Sequence, residues 1–383
     1  MKALAGVLIN VLLLSGVVVG ALGNYCLPSD SCWPTSAVVS IFKNEMLTDG
    51  KTTVLVEGDQ GWPGKSLTYN QALAKTPGMV VYATTVLHIR RAIQFAKQHN
   101  IKISVVSSGH SFLGRCGDEG AMQISVVNMK DIQIDLDCPE SPFGCITTQS
   151  GVTWGEAFRE ASILHRGATS TISKEDREKT DLSSSYLSES GLSLGGCQIN
   201  EYSSFYEYEM TIPNSTYGVT YIGGSLIQED LLSISTSDTF VKHYTKAYER
   251  SKIDPTYNLI GTATWVGGAV KDIPVDEVPV HPGWRNAIFS FTAGTGWDPV
   301  TTDPTDRIQG VKEFHEDLAR FSSGKYYNEA EPDMAPSQWK KEFWSDSAYE
   351  KLVDIKKAWD PQNIFTCNQC IGSDWMRNEP VFG

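Results

Sequence analysis

Residues 107–114 read Ser-Ser-Gly-His-Ser-Phe-Leu-Gly, a stretch that is small, polar and punctuated by glycine. In such a turn, backbone N–H groups can converge on phosphate oxygens, because glycine lets the main chain approach without a Cβ. His110 sits in the middle; taken alone, the tetrapeptide around it reads as an ordinary turn with a capping histidine. Two other patterns carry chemistry. Gly191-Leu192-Ser193-Leu194-Gly195 fits the G-x-S-x-G elbow of a serine hydrolase, with His281 or His315 as the later base. Residues 184–190 make a poor strand for such an elbow. Cys367-Asn368-Gln369-Cys370 with Cys138 and Cys145 has irregular spacing for zinc, and His315-Glu316 lacks the second His of a zincin helix. No metal site is predicted.

The loop needs elements to position it. Met79-Val80-Val81-Tyr82 reads as a short buried strand. Thr84 or Thr85 caps a helix with an apolar stripe of Val86, Ile89, Ile93 and Ala96, closing at Asn100. Residues 101–106 form the next strand, and the loop follows directly. Strand–helix–strand units place binding loops at the C-terminal ends of their strands. Further strands are expected at 123–128, 132–136 and 145–149, ending at Gly151-Val152-Thr153-Trp154-Gly155, where Thr153 caps a helix through Phe158 and Ala161. Residues 24–76 read as loop-rich and 164–190 as a polar surface stretch. Alternating segments at 217–227, 259–266 and 287–291 predict a second, sheet-containing unit. An amphipathic helix over 347–359 is stopped by Asp360-Pro361. The fold class is α+β.

Composition bounds the function. With 383 residues, 41% apolar and 20% charged, the chain is folded rather than disordered, in two or three units. A net charge of −13 disfavours nucleic acid and anionic membrane surfaces, which need a basic face. Lys2 precedes an apolar run from Ala3 to Leu22, and Ala21 and Gly23 suit a signal-peptidase site before Asn24. Residues 1–23 therefore read as a signal peptide, with a secreted product free of the membrane once it is removed; the alternative for a run of this length is a signal anchor. All eight cysteines lie beyond that site, and an exported protein oxidises them. Cys26–Cys32, Cys138–Cys145 and Cys367–Cys370 are the local pairs, the last needing a tight turn; Cys116 and Cys197 remain. Asn214-Ser215-Thr216 is a glycosylation sequon.

The helix ending Ala92-Ile93-Gln94-Phe95-Ala96, the loop 107–114 and Gly151-Val152-Thr153-Trp154-Gly155-Glu156 together resemble the FAD-binding domain of the vanillyl-alcohol-oxidase (PCMH-type) flavoproteins. More narrowly they resemble the secreted berberine-bridge-enzyme-like oxidases. The C-terminus repeats the resemblance in Tyr326-Tyr327-Asn328-Glu329, Trp339, Phe343-Trp344, Tyr349, Asp360-Pro361, Phe365 and Gly372-Ser373-Asp374-Trp375. His281-Pro282-Gly283-Trp284 is similar to a segment of the family's substrate domain. The resemblance implies that Ser107, Ser108, Gly109, His110, Ser111, Phe112, Gly114 and Gly151 hold FAD, joined covalently through His110. It implies that Asn328 orients flavin or substrate, and that Tyr326 and Glu329 are the proton-handling candidates. The implied partners are a small-molecule substrate, an alcohol, sugar or relative, and O2.

The chain departs from that family in its middle. After the helix near Trp154, the expected glycine-rich stretch, with its second flavin-bonding Cys, and several further strands have no counterpart. Cys197, in Leu194-Gly195-Gly196-Cys197, does not match that motif. The expected organisation is a signal peptide at 1–23, an extension at 24–76, the first part of the flavin domain at 77–165, a linker at 166–190, a reduced substrate domain at 191–320 and a closing segment at 321–383. Strands beside the gap would keep open edges. Three readings follow: a secreted FAD-dependent oxidase, a non-catalytic shortened relative with impaired flavin binding, and a serine hydrolase at Ser193.

Overall fold

The computed structural model describes residues 25–47, 50, 52–139, 144–164, 207, 218–275 and 277–375. The signal-peptide segment, the 166–190 linker, Ser193, Cys197 and the Asn214 sequon lie outside them.

The β-branched runs form strands and the Thr-capped stretches form helices. In the first unit β1 (Thr53–Leu55), β2 (Met79–Tyr82), β3 (Ile103–Val106) and β4 (Met122–Ser125) make a four-stranded sheet in the order β1-β2-β4-β3. Both β2 and β3 run parallel to the central β4, with Met79 and Ile103 each in register with Met122. Helix α2 (Val86–Gln98) connects β2 to β3; Thr85 caps it by accepting from the His88 amide, and Asn100 leaves it at φ 51. Its inner face is not the stripe expected. Val86 points to solvent, Ile89 and Ile93 are half-buried, and His88, Ala92, Phe95 and Ala96 are buried. His88 is carried inside because Thr52, at the foot of β1, bonds its Nδ1 at 2.6 Å.

Among the described residues of the stretch read as loop-rich, a helix is found. Thr35 caps α1 (Ser36–Met46), and Val39, Phe42 and Met46 recur at helical spacing on its buried face. Phe42 stacks on Phe95 at 4.1 Å, and these side chains join Met79, Val81, Ile103, Met122 and Ile124 in one core. Each fully buried aliphatic side chain there contributes roughly 1.5–3 kcal/mol. A two-stranded ribbon, β5 (Ile132–Asp135) with β6 (Cys145–Thr148), precedes α3 (Trp154–Leu164). Thr153 and Glu156 cap α3 reciprocally, at 2.7 and 3.4 Å.

The second unit is an antiparallel sheet of β7 (Thr220–Gln228), β8 (Ile260–Trp265) and β9 (Ala287–Gly296), with β9 central. Two helices that the alternating pattern did not announce cover it, α4 (Ile234–Ser251) and α5 (Thr305–Leu318). Phe240, Phe291 and Phe314 meet edge to face between them. The chain ends in α6 (Pro336–Phe343) and α7 (Asp346–Trp359), around buried Trp339, Phe343 and Trp344.

The closing segment returns to the first unit, as the resemblance implied. The Ile103 amide donates to the Ile364 carbonyl at 2.6 Å, so residues 364–365 cover the start of the β3 edge. Tyr25 donates to Asn363 O at 2.5 Å, and Ile364 enters the core. Cys26–Cys32, Cys138–Cys145 and Cys367–Cys370 are disulfides. The tight turn is met by Gln369 at φ 55, with Cα atoms 5.4 Å apart. No helix among the described residues is long and apolar enough to cross a membrane.

Candidate active site

The loop 107–114 leaves the C-terminal end of β3, where a strand–helix–strand unit should place it. Gly109 takes φ +77, and a Cβ there would sit 2.7 Å from Leu67 Cγ, so only glycine permits the turn. The Gly109 carbonyl accepts from the Tyr69 amide at 2.6 Å and from Ser111 N at 2.8 Å. Thr68 Oγ1 and Asn70 Nδ2 hold the Ser111 and Phe112 carbonyls at 3.1 and 3.2 Å. His110 remains exposed, with its ring edge-on to Tyr69 at 5.7 Å. The Ser108 hydroxyl accepts from the His110 amide at 3.5 Å.

Gly151 arrives beside this loop because Ser107 Oγ donates to the Ser150 carbonyl at 2.6 Å. Gly151 is buried, and its amide donates to Met129 O at 3.0 Å. It therefore seats the second segment behind the loop rather than offering that N–H to a ligand.

Tyr326, Asn328 and Glu329 lie on one turn, closed by the Glu329 amide donating to Tyr326 O at 3.1 Å. The turn rests on the second unit's sheet. A Cβ at Gly224 of β7 would stand 1.9 Å from Glu329 O, so glycine is required for the turn to settle there. Thr292 Oγ1 of β9 donates to Glu329 Oε2 at 2.6 Å. Asn328 Nδ2 donates to the Tyr326 hydroxyl at 3.1 Å, and Trp284 meets Tyr326 edge-on at 5.6 Å. Behind the turn Lys325 Nζ donates to Gly224 O at 2.7 Å and pairs with Glu331 at 3.0 Å, both side chains buried.

Loop and turn are joined by Arg115, the residue directly after Gly114. Its Nε donates to Asn368 O at 2.9 Å, its Nη1 to Tyr327 O at 2.8 Å and to Asn328 Oδ1 at 3.4 Å. The guanidinium lies 3.6 Å over the Tyr327 ring. Asn368 answers from the closing segment, donating to Leu113 O at 3.2 Å. Burial lowers the Arg115 pKa to about 10, which leaves it cationic at neutral pH, and raises the neighbouring Cys116 thiol to about 11.

Thus the structure brings the predicted loop and the predicted turn to one seam, and adds Arg115, Thr292 and Asn368, which sequence reasoning missed. Arg115 carried one signal: a cation immediately after a glycine-bounded loop. The hydrolase partners fare differently. His315 is buried, its Nδ1 is 2.9 Å from Ser225 Oγ, and burial lowers its pKa to about 4. His281 Nδ1 accepts from Gly283 N at 3.0 Å, capping its own turn.

Comparison with known proteins matches the two segments that carry the loop and the turn. The family model described as FAD binding domain matches residues 77–169, and the one described as berberine and berberine like matches 325–372. A FAD-linked oxidoreductase of Chaetomium globosum, cheF, is 29% identical over 115 residues, 28% of this chain and 18% of that protein. A chitooligosaccharide oxidase of Gibberella zeae is 30% identical over 119 residues, 30% of this chain and 23% of that one. The chain spans less than a third of the length of the curated relatives it matches. Among solved structures, a VAO-type flavoprotein of Myceliophthora thermophila aligns with a TM-score of 0.64 at 15% identity, over 93% of this chain and 98% of that one. Glucooligosaccharide oxidase of Acremonium strictum, a protein with a 6-S-cysteinyl, 8α-N1-histidyl FAD, aligns with a TM-score of 0.64 at 13% identity, over 86% of this chain and 99% of that one. An FAD-binding-domain match over 77–169, a berberine-like match over 325–372 and a fold similar to that of the VAO-type flavoproteins thus meet in this chain.

Proposed function

We propose that this protein is a secreted oxidase that tethers FAD through His110 and oxidises a sugar, an alcohol or a related small molecule, with O2 as the final acceptor. The observation that carries the reading is the seam, where Arg115 ties the histidine-bearing loop to the turn of Tyr326, Asn328 and Glu329. The donor set fits the cofactor. The hydroxyls of Ser108 and Ser111 and the glycine-permitted backbone suit an anionic diphosphate, Ser107 holds the loop by its bond to Ser150 O, and His110 is exposed on the same loop. FAD, when bound, supplies the hydride acceptor and returns its electrons to O2. The chain supplies proton handling: as a hydride leaves the substrate carbon, the hydroxyl proton passes to Tyr326 or Glu329. Thr292 fixes the Glu329 carboxylate and Asn328 fixes the Tyr326 oxygen. Secretion is supported by the apolar run at 3–22 and by three disulfides. The chitooligosaccharide oxidase among the relatives favours a sugar.

A second reading, a non-catalytic chain that binds flavin poorly, draws on the FAD-binding match ending at residue 169 and on the short matched share of each relative. The test is peroxide release by the purified full chain offered a panel of oligosaccharides and primary alcohols. Peroxide formed in step with an oxidised product supports the oxidase. A yellow chain inert to the whole panel counts against it, and a folded, colourless chain selects the second reading.

A further inference from the structure

We infer that Arg115 is a positioning residue that sets the direction of the Tyr326 proton by fixing the polarity of the Asn328 amide. The inference rests on the oxidase reading above and adds a role for a residue outside the loop and turn.

An arginine has five N–H donors and no acceptor, so whatever faces it must be an oxygen. Arg115 Nη1 reaches the Asn328 side chain at 3.4 Å, and that end of the amide is therefore Oδ1. The opposite end, Nδ2, is then the one 3.1 Å from the Tyr326 hydroxyl. An amide nitrogen has no lone pair to offer, so in this contact Asn328 donates and the phenolic oxygen accepts. When Tyr326 is the base, its oxygen thus keeps this N–H donor as the phenolate that takes the substrate's hydroxyl proton, and the O–H then formed is directed away from Asn328. Were the amide reversed, Tyr326 would spend its proton on Asn328. The cation upstream thus decides which way a proton two residues further along can move.

Arg115 is itself held rigidly enough for this. Its guanidinium is sandwiched against the Tyr327 ring at 3.6 Å and anchored by the Asn368 and Tyr327 carbonyls, the first contributed by the closing segment. Arg115 therefore registers two conditions at once, that the closing segment has docked and that the turn is in place. Asn328 is exposed, and the contact with Arg115 is the one that distinguishes the oxygen end of its amide from the nitrogen end.

The test compares Arg115→Met, Arg115→Lys, Asn328→Ala and Asn328→Asp in the full chain, with kcat and KM expressed per bound flavin and the flavin's visible spectrum read on the same samples. A mispositioned group costs roughly 10²-fold in rate. Arg115→Met is expected to keep its flavin spectrum and KM while kcat falls by about that factor. Arg115→Lys, which keeps the cation but not the fork, should recover part of it. Asn328→Asp keeps an acceptor toward Arg115 but has no N–H for Tyr326, and should fall as Arg115→Met does. Arg115→Met with Asn328→Ala should be no worse than either alone, because both remove one relay. Unchanged kcat per flavin in Arg115→Met, or additive losses in the double variant, overturns the inference while leaving the oxidase reading intact. If Arg115→Met does not fold, the pair Arg115→Lys and Asn328→Asp decides on the same criteria. A wild type without flavin or turnover overturns the reading and the inference together.

Discussion

Beneath the loop that carries His110, the interior is built mainly from Met79, Val81, Ala92, Ile103, Met122 and Ile124, with His88 buried beside Thr52 and Lys102 paired to Asp118 at its edge. Beneath the turn that carries Tyr326, the interior is threaded with charge. Arg307 is buried with Asp254, Thr256 O and Gly296 O as partners, and His315, Lys325 and Glu331 gather under β7. An apolar core holds its loop through shape, and a lost methyl costs a small amount at every pH. A charged core holds its turn only while every partner is present and in the right protonation state. The seam between them is thus supported by a mainly apolar wall on one side and a wall of paired buried charges on the other.

The largest way to break this contrast is Glu331→Gln. It leaves the Lys325 ammonium buried without its anion, and should destabilise the protein by about 3–5 kcal/mol in urea unfolding. Replacing both partners, Lys325→Met with Glu331→Leu, should recover most of that loss. If the single change is neutral, the pair is not what holds the turn.

Acid should separate the units next. Burial lowers the His315 pKa to about 4, whereas the unfolded chain takes up its proton near 6.5. The unfolded state therefore binds more protons between those values. The stability from this group is complete above about pH 6.5 and is lost as pH falls through about 4, amounting to about 3 kcal/mol. His315→Gln should flatten that decline, and an equally steep decline in the variant would assign it to other groups. Smallest is Ile124→Val in the first core, expected to cost about 1 kcal/mol by the same at neutral and at mildly acid pH. A loss that grows with acid would mean the two cores are not independent.

The same contrast governs what could be read in advance. In the first unit β2, α2 with its Thr85 cap, β3 and the loop were legible, because local propensity and spacing carry that information. Helix α4 was not: its buried positions are Thr236, Thr239, His243 and Ala247, which leave no apolar stripe to detect. Helix α1 has such a stripe, but only three buried positions within an otherwise loop-like stretch. The turn of Tyr326 and Glu329 was legible through its resemblance to a family, whereas its link to the loop was not. Arg115 finds its partners 212 and 253 residues away, a distance over which no spacing rule operates.

The central claim is that the His110 loop still holds a flavin in this chain. It is tested most directly by denaturing the purified, folded protein in acid and asking whether the yellow colour stays in the protein pellet. The account predicts a yellow pellet from the wild type and a colourless one from an equally folded His110→Ala variant. A colourless wild-type pellet, or colour that survives the substitution, would contradict it.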